Sequence, residues 1–208
     1  MTTNTNLKPI QYKTIHRTHF TRSKMYKMGF IDTDICPQCT SGNTDSYLHA
    51  TWYCQPVHSV WTTVIETIST ILECRVPLSP TLCLPGDTSE FPLLSQHKIP
   101  VLVSLAITKK IVFQNWLSKT SCHLKNWSNL LSEYISTEEI YAMKNNNICA
   151  FKDIWNPFIT FLQFSRSINH AHPLHPPTSL VSSLSLFFPS HWAIICIIRH
   201  THTKAYTP

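Results

Sequence analysis

The chain has 208 residues, with 17 Lys+Arg against 11 Asp+Glu, 12 His, 8 Cys, 14 Pro and 3 Gly. That length allows one ordinary domain with a real core, and a hydrophobic share of 43% excludes a chain disordered throughout by composition. Three glycines, with no G-x-G-x-x-G and no G-x-x-x-x-G-K-[ST], argue against a phosphate-cradling nucleotide fold.

Residues 1–31 carry Lys8, Lys13, Arg17, Arg22, Lys24 and Lys27 and no acid, so this head alone matches the net charge of +6. Such a concentration points to a polyanionic partner more than to an acidic small molecule. Residues 1–12 are polar and lack the apolar core of a secretory signal. Residues 9–30 read as helical, with a break near Phe20 and Thr21 capping a second short helix. In one unbroken helix Lys13, Arg17, Lys24 and Lys27 would fall within about 80° of one another; a break splits that stripe.

Residues 32–56 are punctuated by Pro37, Gly42, Asn43 and Pro56, and they hold Cys36, Cys39, His49 and Cys54 in the pattern C-x2-C-x9-H-x4-C. Zinc is bound by four such donors at tetrahedral corners, and a C-x-x-C pair supplies two of them from one tight turn. His49 and Cys54 would lie about 140° apart on a regular helix, so an irregular turn is expected near Tyr53. Four protein donors leave no open position, which makes the site structural. The alternatives are a redox pair, which would need a βαβ setting not visible here, or a chance pairing; His58 is a possible substitute ligand. The other five cysteines are scattered, and one metal cluster in a reducing compartment fits better than a disulfide framework.

From residue 57 the period becomes helical. Val57, Val60, Trp61, Val64, Ile65, Ile68, Ile71 and Leu72 form one face of a helix ending before Pro77. Pro77, Pro80, Pro85 and Pro92 mark residues 76–97 as a connecting loop. Further helices are expected over Val101–Leu117, over His123–Met143 with Trp127, Leu130, Leu131 and Tyr134 on one side, and around Phe151, Trp155, Phe158 and Leu162. The expected fold is mostly α: a basic helical head (1–31), a small knuckle (32–56) and a helical bundle (57–164), followed by a tail (165–208). Residues 165–179 read as a linker. Residues 180–198 contain no charged side chain and thirteen apolar residues, just long enough for a spanning helix or else a hydrophobic, poorly folded or docked tail.

Other constellations carry less. Asp32 and Asp34 suit turns or caps. His16 and His19 suit a surface or packing role, and most tryptophans sit at helical spacing with aliphatics and belong to a core. Trp52 and Tyr53, inside the knuckle, are the exceptions and are candidates to stack unpaired bases. No nucleophile, base and oxyanion hole assemble.

The run from Gln11 to Thr21, then Lys24, Lys27 and Met28, Cys36-Pro37-Gln38-Cys39, His49-x-x-Trp52-Tyr53-Cys54 and Trp61 resembles the C-terminal region of LINE-class (non-LTR) retrotransposon reverse transcriptases. A looser likeness continues through Lys109-Lys110-Ile111, Asn115-Trp116 and Trp155-Asn156-Pro157-Phe158, covering residues 8–164. By matching position the resemblance implies Cys36, Cys39, His49 and Cys54 as metal ligands and the basic head as the nucleic-acid contact, here Lys13, Arg17, Arg22, Lys24 and Lys27. The chain has no Tyr/Phe-Ala-Asp-Asp polymerase motif and no endonuclease domain, so a working polymerase is not expected on it. The leading expectation is a non-catalytic, zinc-stapled, intracellular protein of nucleus or cytoplasm that binds RNA or another single strand. The alternatives are a tail-anchored membrane protein using residues 180–198, and a transposon remnant without specific function.

Overall fold

The computed structural model describes residues 7–89, 91, 95–115 and 124–170. By internal contacts the chain divides into two compact units, Met1–Arg166 and Ser167–Pro208, and all that follows belongs to the first except the last residues of the final helix. The expected tail and its apolar segment 180–198 lie outside the described residues. Among the described residues no helix is long and apolar enough to cross a membrane.

The fold is mostly α, as expected. In chain order the helices are α1 (Lys8–Ile15), α2 (Arg22–Lys27), a π-helical turn (His49–Tyr53), α3 (Gln55–Ile71), α4 (Pro80–Cys83), α5 (Ser95–Asn115), α6 (Leu124–Lys144) and α7 (Ile148–His170). The only strand-like pairing among the described residues is one antiparallel bridge, Ile35 to Thr44.

The core is built around α5. Val101, Val103, Leu105, Ala106, Ile107, Ile111 and Val112 are all buried, so this helix is enclosed on every side rather than amphipathic. Against it pack α1, α3, α6 and the π turn. Most residues of the expected faces of the other helices are buried: Val57, Trp61, Val64, Ile65, Ile68 and Leu72 of α3, Trp127, Leu131 and Tyr134 of α6, and Phe151, Trp155, Phe158 and Leu162 of α7; Val60, Ile71 and Leu130 are partly buried. Trp127 donates its indole N–H to the Ser104 carbonyl at 3.2 Å, which ties α6 to α5.

Three boundaries differ from the sequence expectation. Helix α5 begins at Ser95, ahead of Pro100. A proline so near the start forfeits only the bond to the carbonyl of Gln96, and the helix continues past it into a run of buried residues. Helix α7 likewise passes Pro157 and continues beyond residue 164 to His170, so the expected linker starts inside a helix. The proline-rich connection contains the short α4, whose N-terminus is capped by Ser79 accepting from the Leu82 N–H at 3.2 Å.

Candidate metal centre

The head forms as two short helices, with Thr21 opening the second as expected and a break that begins at His16, earlier than the expected Phe20. Helix α1 stops at Ile15, and Arg17 follows in the left-handed region at φ +51°, with the Thr18 N–H closing back to the Lys13 carbonyl at 3.0 Å. Thr21 then caps α2 by accepting from the Lys24 N–H at 3.3 Å. The continuous basic stripe is therefore split. Lys13, Arg17 and Lys27 are exposed, while Arg22 and Lys24 are half-buried and committed to structure. Arg22 donates to the Thr33 carbonyl at 3.2 Å, and the Lys24 ammonium to the Arg17 carbonyl at 2.5 Å.

The loop after α2 folds back on itself. Cys36 N–H donates to the Asn43 carbonyl at 2.9 Å and Asp45 N–H to the Asp34 carbonyl at 2.7 Å. Gly42 turns the chain at φ +67°, in the region where L side chains are strained. This small hairpin delivers Cys36 and Cys39, and the Gln38 N–H points at the Cys36 sulfur at 3.4 Å.

The other two donors come from the irregular turn the spacing demanded. The Cys54 N–H bonds the His49 carbonyl at 2.7 Å, an i→i+5 closure that widens the turn relative to an α-helix. The wider turn brings residues five apart over one another and so resolves the 140° conflict. It is held by His49 N–H on the Ser46 hydroxyl at 3.2 Å, Thr51 hydroxyl on the Tyr47 carbonyl at 2.7 Å, and the buried Trp61 indole N–H on the Thr51 carbonyl at 2.9 Å. Cys54 is then the N-cap of α3, with Pro56 in its first turn.

All four expected ligand residues converge. One ligand atom from each of Cys36, Cys39, His49 and Cys54 lies within 4.8 Å of the others. Cys36 and Cys54 sulfurs are 3.8 Å apart, and Cys39 sulfur is 3.4 Å from His49 Nε2. A tetrahedral centre with Zn–S near 2.3 Å and Zn–N near 2.0 Å has S···S and S···N edges of about 3.8 and 3.6 Å, so these residues fit a bound metal. The separation is far outside an S–S bond of about 2.05 Å. All six described cysteines are free thiols. His58 is not part of the group; its ring packs edge-on against Trp52 at 5.3 Å.

The thiols differ in environment. Burial pushes the Cys36 and Cys54 thiols up. Cys39, half-buried, is pushed down to about 6, first by the Ser41 hydroxyl, 2.9 Å from its sulfur. Metal binding requires thiolates and therefore releases protons, with Cys39 giving up its own most readily.

Two buried ionisable positions were not singled out by sequence reasoning. Asp45, between the two ligand pairs, is fully buried; its Oδ2 accepts the Arg22 N–H at 3.0 Å and its carbonyl the Ser23 N–H at 3.4 Å. It thus joins the metal loop to the N-terminus of α2, where a carboxylate is also favoured by the helix dipole. Burial pushes its carboxyl up, against the Arg22 N–H bond and the nearby His49 and Arg22 charges. The second is Lys109 of α5, 2% exposed. Its ammonium is held by Gln11 Oε1 of α1 and by the Leu84 carbonyl at 2.9 Å, and Gln11 also donates to the Pro85 carbonyl at 2.7 Å. Gly86 follows at φ +80°, with Leu102 3.2 Å from where its Cβ would stand. Burial lowers Lys109 to about 8. A lysine inside an apolar run gives only a weak sequence signal, and Asp45 gives none beyond lying between ligands.

The two aromatic candidates separate. Trp52 is buried, 6% exposed, with its ring 6.1 Å from that of Trp61. It is thus a core residue and is not placed to stack a base, because widening the turn rotates it inward. Tyr53 is 66% exposed. His19 takes the expected packing role, stacked on Phe113 at 3.4 Å between centroids, and burial, then the Lys13 and Lys24 charges, lower it to about 4. No protein-family model matches this chain, and no match is found among curated proteins.

Proposed function

We propose that this chain is a non-catalytic, zinc-stapled RNA-binding module, akin in function to the C-terminal region of the LINE-class reverse transcriptases that its first sixty residues resemble. Three thiolates and one imidazole at tetrahedral spacing are a donor set suited to zinc over harder cations. Four protein donors fill such an ion's coordination, which supports a structural role. When bound, zinc supplies folding free energy, about 10–16 kcal/mol apparent for comparable sites. The observation that carries the proposal is the union of the Cys36, Cys39, His49 and Cys54 group with a basic head through one buried residue, Asp45.

Lys8, Lys13, Arg17 and Lys27 are the exposed cations of the head, free to meet phosphates. Four such contacts on a single strand give log K against log salt a slope of about −3. Titration of a labelled single-stranded RNA by the full chain at several salt concentrations tests this. Binding with a slope near −3, weakened in the Cys36→Ser, Cys39→Ser double variant, is the expected outcome. Binding absent at low salt, or indifferent to salt, refutes it.

A further inference from the structure

Of the fourteen large apolar side chains exposed among the described residues, nine lie between Tyr12 and Tyr53, while the helical body exposes few. Four of them are aromatic rings of the head: Tyr12, Phe20 (64% exposed), Tyr26 (49%) and Phe30 (73%). Along the chain they alternate with exposed cations: Tyr12 beside Lys13, Arg17 before Phe20, Tyr26 beside Lys27. The head is also held in place. Tyr47 hydroxyl donates to the Thr14 carbonyl at 2.8 Å, Lys24 to the Arg17 carbonyl, and Arg22 and Asp45 tie α2 to the metal loop. The rings are therefore presented on an ordered surface.

We propose that Phe20, Tyr26 and Phe30, with Tyr12, are stacking platforms that make this head select unpaired nucleic-acid strands over duplexes, with Lys13, Arg17 and Lys27 meeting the intervening phosphates. The proposal rests on the RNA-binding reading above and names the form of ligand that site takes. A ring and a neighbouring cation match the repeating unit of a single strand, a base with two open π faces and a phosphate. A duplex hides those faces, so the exposed rings would have nothing to stack on. An anionic membrane also attracts cations and aromatics, but it takes a continuous apolar face, and along this chain a cation stands between each ring and the next. Stacking on aromatics tolerates any base, so the surface selects strandedness and not sequence.

The test uses the full chain with zinc, titrated against a fluorescent single-stranded RNA, the same sequence as a duplex, and vesicles containing anionic lipid. Two variants are compared: Phe20→Leu, Tyr26→Leu, Phe30→Leu, and Lys13→Gln, Arg17→Gln, Lys27→Gln. All six positions are exposed, and circular dichroism with zinc content verifies that both variants keep the fold. The expected result is a loss of at least tenfold in single-strand affinity for the ring variant, with its salt slope and duplex binding unchanged. The cation variant should weaken on both nucleic acids and lose about 2 units of slope. A ring variant that binds the single strand like the parent, while the cation variant does not, overturns the stacking proposal and leaves RNA binding intact. A parent that binds neither nucleic acid, or binds only vesicles, overturns both.

Discussion

If the Cys36, Cys39, His49 and Cys54 group holds a metal as proposed, removing that metal should unfold one defined part of this protein. The segment from Thr21 to Cys54 buries Cys36, Ala50, Trp52 and Cys54 among its apolar residues, and Trp52 is the only large one, so the segment has no core of its own. Helix α2 has six residues, far below the length at which an isolated helix is stable in water. It depends on Thr21, Asp45 and the Arg22 bond to Thr33. Helix α1 is different. Leu7 is buried beside it, it packs on α5, and Gln11 is tied to Lys109 and Pro85, so α1 should survive. Six residues of α2 and five of the π turn are then lost, about a tenth of the helical residues of the fold. Hydrogen-exchange mass spectrometry before and after chelation reads this directly. Amides of residues 21–54 should lose protection, while those of α1, α3 beyond its first turn, and α5 keep theirs. If the metal is shown to be gone and residues 21–54 stay protected, the metal does not hold this segment and the reasoning is wrong.

Three further outcomes follow from single residues. Asp45→Ala should lower exchange protection across α2 by about 1–2 kcal/mol, the usual effect of losing a helix-capping acceptor, while Asp45→Asn, which keeps an acceptor oxygen, should stay near the parent; both should still bind one metal. His19 is neutral in the fold down to about pH 4 but protonates near 6.5 when unfolded. Its contribution is therefore complete above pH 6.5 and lost as pH falls toward 4, so denaturant midpoints of the parent and His19→Leu should converge across that window. Lys109 loses its proton near pH 8 in the fold and at 10.5 when unfolded, so the unfolded chain binds more protons between those values. The parent should gain stability relative to Lys109→Met as pH rises through that window, by up to about 3 kcal/mol, and parallel curves would show that Lys109 titrates normally.

The helices were legible because their apolar residues recur at helical spacing and that period is what burial requires; every buried apolar residue of α3 was on the expected list, and only Thr67 was added to it. The ligand set was legible because C-x-x-C is a local signature. The irregular turn was legible from geometry alone, since two ligands five residues apart cannot share a face of an α-helix. A proline misled at Pro100, where the buried residues that follow on α5 outweigh one missing hydrogen bond. Trp52 misled because its direction depends on the π turn, which the spacing required but did not orient. Asp45 and Lys109 stayed hidden for a deeper reason. Their burial is created by chain segments far away in sequence, Arg22 for one and Gln11 and Leu84 for the other, and no local pattern records it.

The claim underlying all of this is that Cys36, Cys39, His49 and Cys54 hold one zinc ion. Native mass spectrometry of the reduced full chain, reconstituted with zinc, measures it directly, with the Cys36→Ser, Cys39→Ser variant alongside. One zinc per parent chain and none on the variant is the predicted result. A parent chain that emerges metal-free, or a variant that retains the ion, would contradict it.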